Sequence, residues 1–250
     1  ENGRFATVGL PCHIHGIRKA EILDKKLAKK IVLHLGLICN HTPTFSATEY
    51  LLQKMKLKKE DVKKIDYRGE GWPGGMSIVL ANGKKKFVEE FNPFYWGHVF
   101  NSYFIPTRCI LCNDKICELS DISFGDAWHL SNSRIGESII VSRSKKSEEL
   151  LEKAAIKKKI EIKKVSSKEI VESQGLDLVK RRQKARILIF KKLGKRLPVC
   201  NQEVFESKTS DYVKALSLYL RNYVSSKPHL WNLINIYPFL LARIKGLHNN

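Results

Sequence analysis

The sequence predicts an α/β (α+β) protein with a mixed sheet that has a parallel βαβ start, a β-hairpin insertion and a helical, basic C-terminal region. Two apolar runs, 5–10 and 30–38, flank a helix-length segment and indicate the βαβ start. The hairpin is indicated by the turn Ala81-Asn-Gly83 between two strand-like runs. After Gly175 the chain turns helical, patchily apolar and rich in Lys and Arg. We therefore predict a domain at 1–175 and a basic helical region at 176–250.

In the βαβ start, segment 14–30 is the expected helix between the two strands. A cysteine follows each apolar run, Cys12 after the first and Cys39 after the second. Parallel strands end at one edge of their sheet, where α/β folds place their functional sites. We therefore expect both thiols at that edge.

Local patterns predict the other elements. They are a helix at 47–56 with Ser46 and Glu49 as a capping box, a short helical segment at 59–63, strands at 65–68, 76–80, 85–89, 138–142 and 160–165, helical segments at 93–104 and 145–157, and a short helix capped by Ser167.

Charge is the second broad feature of the chain, with a net charge of +20 over 250 residues. Residues 1–125 hold 19 Lys and Arg against 13 Asp and Glu, a net of +6, and residues 126–250 hold 26 against 12, a net of +14. No nucleic-acid-binding motif accompanies this charge, so lysines on solvated helix faces are the favoured interpretation. The run of Lys and Arg at 180–192 can alternatively meet an acidic partner protein or an anionic membrane surface.

The six cysteines are too few for a disulfide scaffold in a chain of this length. No signal peptide and no run of about 18 apolar residues is present, so we predict a reducing, cytoplasmic location. The sequence opens directly on a strand-like segment, and we expect it to be part of a longer protein.

A C-x-x-C pair, Cys109 and Cys112, joins the two strand-end thiols. Four thiolates suit either structural zinc or an iron–sulfur cluster. Cys117 extends the pair to C-x-x-C-x-x-x-x-C and is an alternative ligand, since this spacing is close to that of ferredoxins.

Five short motifs occur in an order and spacing that resemble the coenzyme F420 hydrogenase/dehydrogenase beta-subunit family. They are VGLPCH at 8–13, GLIC at 36–39, YRGEGWPG at 67–74, RCILCND at 108–114 and SDISFGDAW at 120–128. The resemblance covers about residues 5–145. It implies an oxidoreductase that uses FAD, coenzyme F420 and iron–sulfur clusters, and that passes electrons to a partner protein or to other subunits of a complex.

The resemblance also implies roles for single residues. A [4Fe–4S] cluster would be held by Cys12, Cys39, Cys109 and Cys112, which leaves Cys117 as a nearby thiol outside the ligand set. Flavin or coenzyme F420 would be bound by Arg68, Gly69, Trp72, Gly74, Asp121, Gly125 and Asp126. No catalytic residue is identified. The family normally has further sequence before the first strand, where part of the flavin site is expected.

These residue types suit that chemistry. Glycines allow close backbone approach to a ligand, Arg68 can pair with a phosphate or carboxylate, and Trp72 can cover a flat ring. An ordinary Gly/Pro turn is the plain alternative for this loop, and an N-cap bond is the alternative for Asp126.

Two other functions stay open. One is a zinc-stabilised binding module whose basic tail holds nucleic acid or an anionic membrane surface. The other is a family member recruited away from coenzyme F420, to reduce a pigment or a sugar-linked substrate. Iron, zinc and flavin content distinguish the first of these from a redox protein.

Overall fold

The computed structural model describes residues 3–71, 74–89, 99–130, 135–199 and 205–235. The strands are β1 (Phe5–Gly9), β2 (Ile31–Leu37), β3 (Val62–Gly69), β4 (Gly75–Leu80), β5 (Lys85–Glu89), β6 (Ile122–Asp126) and β7 (Ser138–Ser142). The helices are α1 (Pro11–Leu23), α2 (Lys25–Lys30), α3 (Ser46–Lys54), α4 (Thr107–Ile110), α5 (Lys145–Ile156), α6 (Ser167–Gln174), α7 (Leu176–Lys192) and α8 (Thr209–Ser225), with 3₁₀ helices at Lys59–Asp61 and Pro228–Asn235.

The chain forms two compact units, each built from two separate stretches of sequence. Unit 1 comprises Glu1–Asn40 and Cys112–Lys180, and unit 2 comprises His41–Leu111 and Arg181–Asn250. The boundary therefore falls inside α7 and also within the C-x-x-C motif. The division at Gly175 predicted from composition stays a prediction about sequence domains.

Unit 1 is built on a mixed sheet of four strands in the order β1-β2-β6-β7. β1 runs parallel to β2 and β2 runs parallel to β6, whereas β7 is antiparallel to β6. This confirms the predicted fold class and its parallel βαβ start. The βαβ crossover contains two helices rather than the single predicted one. Asp24 ends α1 and caps α2, because its carboxylate accepts from the backbone N–H groups of Lys26 and Leu27.

Residues 112–120 form a loop that lies beside β2 and runs antiparallel to it. The backbone N–H of Cys39, just past the end of β2, donates to Lys115 O at 2.8 Å. Further along the loop Cys117 packs on Gly36, the penultimate residue of β2. The N–H of Asp121 then donates to His34 O at 2.9 Å, and the chain turns back into β6.

Unit 2 contains an antiparallel sheet in the order β3-β4-β5, and the turn Ala81–Gly83 joins β4 to β5 as predicted. Helix α3 packs on this sheet through a buried cluster. The fully buried members of the cluster include Ala47, Met76, Ile78, Val99 and Ile234.

Three local predictions were wrong. The N-cap of α3 is Phe45 rather than Ser46, and no side chain caps this helix end. The cap of α6 is Ser166 rather than Ser167, and it forms a capping box with Glu169. Segment 160–165 is not a strand of the described sheets, and its side chains Ile162 and Val165 are exposed.

Gly175 has a φ of +59° and closes α6 in the left-handed conformation. Beyond it, most of the described residues are helical, as predicted, and form α7, α8 and the 3₁₀ helix Pro228–Asn235. Of the predicted helical segment 93–104, residues 93–98 lie outside the described residues, and residues 99–102 are helical. Among the described helices, none has the length and apolar character needed to cross a membrane.

Candidate metal and cofactor site

Cys12 lies in the first turn of α1, directly after Pro11. Proline suits this position because its fixed φ matches the helix and its missing N–H is not needed there. The thiol lies where the chain leaves β1, and the nearby helix N-terminus favours negative charge. As expected from the sequence, Cys12 is therefore near the edge at which β1 and β2 end.

Cys39 follows β2 at the same edge, two residues past Leu37. Its backbone is fixed to the 112–120 loop by the bond from its N–H to Lys115 O. The Lys115 ammonium donates to the carbonyl of Gln174, at the end of α6. Burial lowers the pKa of Lys115, and the nearby Cys39 opposes that shift. A half-buried cation thus accompanies the Cys39 thiol.

Cys112 opens the 112–120 loop, and its thiol donates to the carbonyl of Asp114 at 3.5 Å. The Asp114 carboxylate is buried, with 1 % of the residue exposed. It accepts from the backbone N–H of Glu118 and lies 2.8 Å from Nε2 of His15, on α1. The Asp114–His15 pair therefore links the Cys112 loop to the helix that carries Cys12.

Cys117 differs from the other thiols of unit 1 because it is completely buried. A Cβ atom on Gly36 would lie 2.5 Å from its Sγ, so the thiol packs directly on the backbone of β2. Desolvation raises the pKa of Cys117, although a hydrogen bond with Ser120 opposes this. Cys117 is therefore held as a neutral thiol inside the sheet packing.

Cys109 belongs to unit 2, in the last turn of the short helix α4. It packs at the margin of a cluster formed by Ile105, Ile110, Leu111 and Phe190. Cys200 lies outside the described residues.

The thiols suit a soft metal centre in their chemistry, since a [4Fe–4S] cluster takes four cysteine thiolates. In unit 1 the chain brings Cys12, Cys39 and Cys112 toward one edge of the sheet. Within the described part of the chain, however, no three His, Cys, Asp or Glu side chains are grouped closely enough to hold a metal ion. The thiol chemistry therefore suits a cluster, and the ligand set stays a prediction.

The predicted cofactor residues of unit 2 lie where β3 turns into β4. Arg68 is exposed near the end of β3, and its N–H donates to Asp66 Oδ1 at 3.0 Å. Gly69 ends the strand. Gly74 has φ +68°, and a Cβ there would lie 2.5 Å from the carbonyls of Gly69 and Gly71, so only glycine fits. Trp72 lies outside the described residues.

The predicted cofactor residues of unit 1 lie on or beside β6. The Asp121 carboxylate is engaged within the protein: Oδ2 accepts from the His34 N–H at 2.7 Å, and Oδ1 accepts from Arg18 at 3.3 Å. Gly125 packs against Ile38, and a Cβ atom added to Gly125 would lie 2.6 Å from the Cβ of Ile38. The Asp126 carboxylate, by contrast, has no hydrogen bond to the described residues, and only its backbone carbonyl is held, by Gln174.

Sequence reasoning missed two polar groups that organise unit 1. Arg143 follows β7 and donates to Ile116 O at 2.8 Å and to the hydroxyls of Ser120 and Ser123. His34 lies on β2 with 2 % of its surface exposed, between the carboxylates of Glu21 and Asp121. The only signal in the sequence was one histidine inside an apolar strand.

Comparison with known proteins adds a family. Residues 2–168 match the family model for the C terminus of the coenzyme F420 hydrogenase/dehydrogenase beta subunit. The coenzyme F420-dependent sulfite reductase of Methanocaldococcus jannaschii is 28% identical over 223 residues, which are 84% of this chain and 31% of the relative. The beta subunit of the coenzyme F420 hydrogenase of Methanothermobacter thermautotrophicus is 27% identical over 156 residues, which are 60% of this chain and 49% of the relative.

Among solved structures, a chain of the F420-reducing [NiFe] hydrogenase complex from Methanosarcina barkeri is similar, with a TM-score of 0.52 and 19% identity. The match covers 78% of this chain and 65% of that one. At this identity the likeness shows the fold. The chain spans less than half the length of both curated relatives.

Proposed function

The chain belongs to the coenzyme F420 hydrogenase/dehydrogenase beta-subunit family, and from this premise we propose that it is an iron–sulfur flavoprotein oxidoreductase. It passes electrons between reduced coenzyme F420, or a ferredoxin-like donor, and a partner protein or substrate. The observation that carries the proposal is the placement of Cys12, Cys39 and the Cys112 loop toward one edge of the mixed sheet of unit 1, inside the matched region.

In this proposal Cys12, Cys39, Cys109 and Cys112 hold a [4Fe–4S] cluster, which exchanges one electron at a time. The burial of Cys117 and its raised pKa support leaving that thiol out of the ligand set. Lys115 supports the choice of Cys39, because a half-buried ammonium beside it offsets the negative charge of thiolate ligands.

Five of the remaining site residues are proposed to contact FAD or coenzyme F420, and Asp121 and Gly125 are proposed to support them. In unit 2, exposed Arg68 pairs with a phosphate or carboxylate, while Gly69, Trp72 and Gly74 form the loop beside it. In unit 1, Asp126 accepts hydrogen bonds from ligand hydroxyls, which its lack of a described protein partner supports.

Asp121 and Gly125 act differently in this proposal. Asp121 keeps its bonds to His34 and Arg18 and thereby fixes the start of β6, whereas Gly125 lets β6 approach Ile38. Both hold the strand that presents Asp126, and neither has to touch the ligand.

Other subunits or a separate redox protein are the proposed partners, because the M. thermautotrophicus relative is named as a hydrogenase subunit. Cytoplasm remains the predicted location, since thiol-ligated clusters need a reducing compartment. Contact of the basic C-terminal region with a membrane surface also remains a prediction.

The test is anaerobic purification of the full-length protein, followed by iron, sulfide, zinc and flavin analysis. We expect a brown protein with about four iron and four sulfide per chain, whose colour dithionite bleaches, together with bound flavin. Reduced coenzyme F420 should then be oxidised in the presence of an artificial acceptor.

A colourless preparation that holds one zinc per chain would contradict the redox proposal and favour the zinc-stabilised module. Bound cluster and flavin without oxidation of coenzyme F420 would instead favour a member of the family that uses another substrate.

A further inference from the structure

We propose that Gln183 and Arg186 are positioning residues for the C-x-x-C turn, which they hold by the two carbonyls between its cysteines. The inference rests on the proposed function in one respect, namely that Cys109 and Cys112 are cluster ligands. It assigns a role to α7, which lies beyond the region matched by the family model.

The contacts are direct. The side-chain amide of Gln183 donates to Leu111 O at 2.7 Å, and the Arg186 guanidinium donates to Ile110 O at 3.3 Å. Residues three apart on a helix share a face, so one turn of α7 contacts both carbonyls. Ile110 and Leu111 are the two residues that separate Cys109 from Cys112.

Holding a carbonyl also orients the N–H group of the next residue, because the peptide unit is planar. Gln183 therefore sets the direction of the Cys112 N–H through Leu111 O. Backbone N–H groups that point at metal-bound sulfur tune a cluster. Gln183, which holds the carbonyl end of the Leu111–Cys112 peptide, thus affects the proposed ligand Cys112 without contacting its thiol.

Both side chains act from a shielded environment. Gln183 is only 6% exposed, and its Oε1 has no hydrogen-bond partner among the described residues. Burying an unpaired amide oxygen costs free energy, and the hydrogen bond that the Gln183 amide donates to Leu111 O offsets part of that cost. Arg186 is half-buried, and desolvation together with the nearby charge of Arg182 lowers its pKa. It nevertheless remains a cation, since arginine does not lose its proton in proteins.

The packing around the turn comes from the same part of the sequence. Phe190 of α7 is completely buried against Ile105, Ile110 and Leu111. On α8 the amide of Asn222 donates to Ile105 O and accepts from the Thr107 hydroxyl. The segment that leads into the C-x-x-C is therefore fixed by the C-terminal helices of unit 2.

The first measurement uses the full chain without metal. Each cysteine is alkylated under native, anaerobic conditions, and the rates are resolved by mass spectrometry. We expect Gln183→Leu and Arg186→Gln to speed the labelling of Cys109 and Cys112 about fivefold relative to Cys12, as the loss of one hydrogen bond predicts. Arg186→Lys keeps the charge and a donor, and should restore most of the slow rate.

Lys191→Gln is the matched control, because it removes a cation from an exposed position of the same helix. It should leave all rates unchanged, and thermal unfolding shows that each variant is folded. If Gln183→Leu does not fold, the Arg186→Gln, Arg186→Lys and Lys191→Gln series decides the question. Folded variants that label Cys109 and Cys112 at the wild-type ratio to Cys12 would overturn the inference.

The second measurement uses protein loaded with its cluster. Removing a nearby cation destabilises the reduced state, so Arg186→Gln should shift the midpoint potential to a more negative value, and Lys191→Gln should not. If the wild-type protein binds no iron, the proposed function fails, while the labelling series still decides whether α7 holds the turn.

Discussion

Nε2 of the His34 imidazole lies 2.7 Å from Oε1 of Glu21, almost completely shielded from solvent. Nδ1 of the same ring lies 3.2 Å from Asp121 Oδ2. Both ring nitrogens of His34 therefore face a carboxylate oxygen. Arg18 contacts the two carboxylates as well. This network ties α1 to β2 and to the start of β6.

The first prediction concerns this network. His34→Leu should lower the free energy of unfolding by about 3 kcal/mol, because it leaves two carboxylates facing an apolar side chain. Urea denaturation measures the change. The double variant His34→Leu/Glu21→Leu removes one of the two stranded charges and should lose less. A single variant as stable as the wild type would show that the network does not stabilise unit 1.

The second prediction concerns the contact between Gly36 and Cys117. Gly36→Ala should destabilise the protein by about 2 kcal/mol, because the new Cβ overlaps buried atoms that cannot move freely. The overlapping atoms are Sγ of Cys117 at 2.5 Å, its Cβ at 2.6 Å, and Oγ of Ser120 at 2.6 Å.

Adding Cys117→Gly should recover part of the lost stability, since it removes the two Cys117 atoms, leaves only Ser120 Oγ of the three overlapping atoms, and suits the φ of +59° at position 117. Cys117→Ala retains the Cβ and should recover less. Equal recovery by the two second substitutions, measured by thermal unfolding, would contradict this account.

The third prediction concerns the ligands. Replacing Cys12, Cys39, Cys109 or Cys112 by Ser should each abolish most of the iron bound after anaerobic reconstitution. Cys117→Ser is the matched control and should retain the wild-type amount, because Cys117 is buried against β2. If Cys117→Ser loses iron and Cys12→Ser retains it, then Cys117 is the ligand and Cys12 is not.

The fourth prediction concerns pH. The Arg181 guanidinium, which bonds to the carboxylate of Asp211, lowers the pKa of that group to about 2 from its ordinary value of 3.8. Because the folded-state pKa is depressed, its contribution to stability is complete above pH 3.8 and is lost as the pH falls toward 2. The side chain of Arg181 is partly exposed, so solvent screening reduces the size of the effect.

Asp211→Asn should therefore be less stable than the wild type at neutral pH and should approach it in acid. Thermal unfolding midpoints at a series of pH values measure this. A difference that is constant across the series would show that the lost packing and hydrogen bonds matter rather than the charge.

The sequence predicted those parts of the fold that local pattern determines. Ser138–Ser142 has the predicted bounds, because an apolar run between turns suffices to define a strand. The capping residue of α3 was wrong, since a sequence match to a capping box does not require the hydrogen bonds to form. Segment 160–165 failed as a strand because alternation says nothing about whether a neighbouring strand is present.

For the candidate site, the rule that parallel strands end at one edge was enough to predict where Cys12 and Cys39 lie. The contacts of Gln183 and Arg186 could not be predicted. They join side chains to backbone carbonyls more than seventy residues away. Every residue has a backbone carbonyl, so the sequence does not indicate which one a side chain will contact.

The 112–120 loop has a consequence for binding at this edge. Two successive carbonyls of the loop are hydrogen-bonded. The Cys39 N–H donates to Lys115 O, and the Arg143 guanidinium donates to Ile116 O. The conformational entropy of this segment is therefore already lost when the protein folds. A metal centre that binds to Cys112 meets a backbone that is already ordered, so its binding free energy is reduced little by the entropy cost of immobilising the loop.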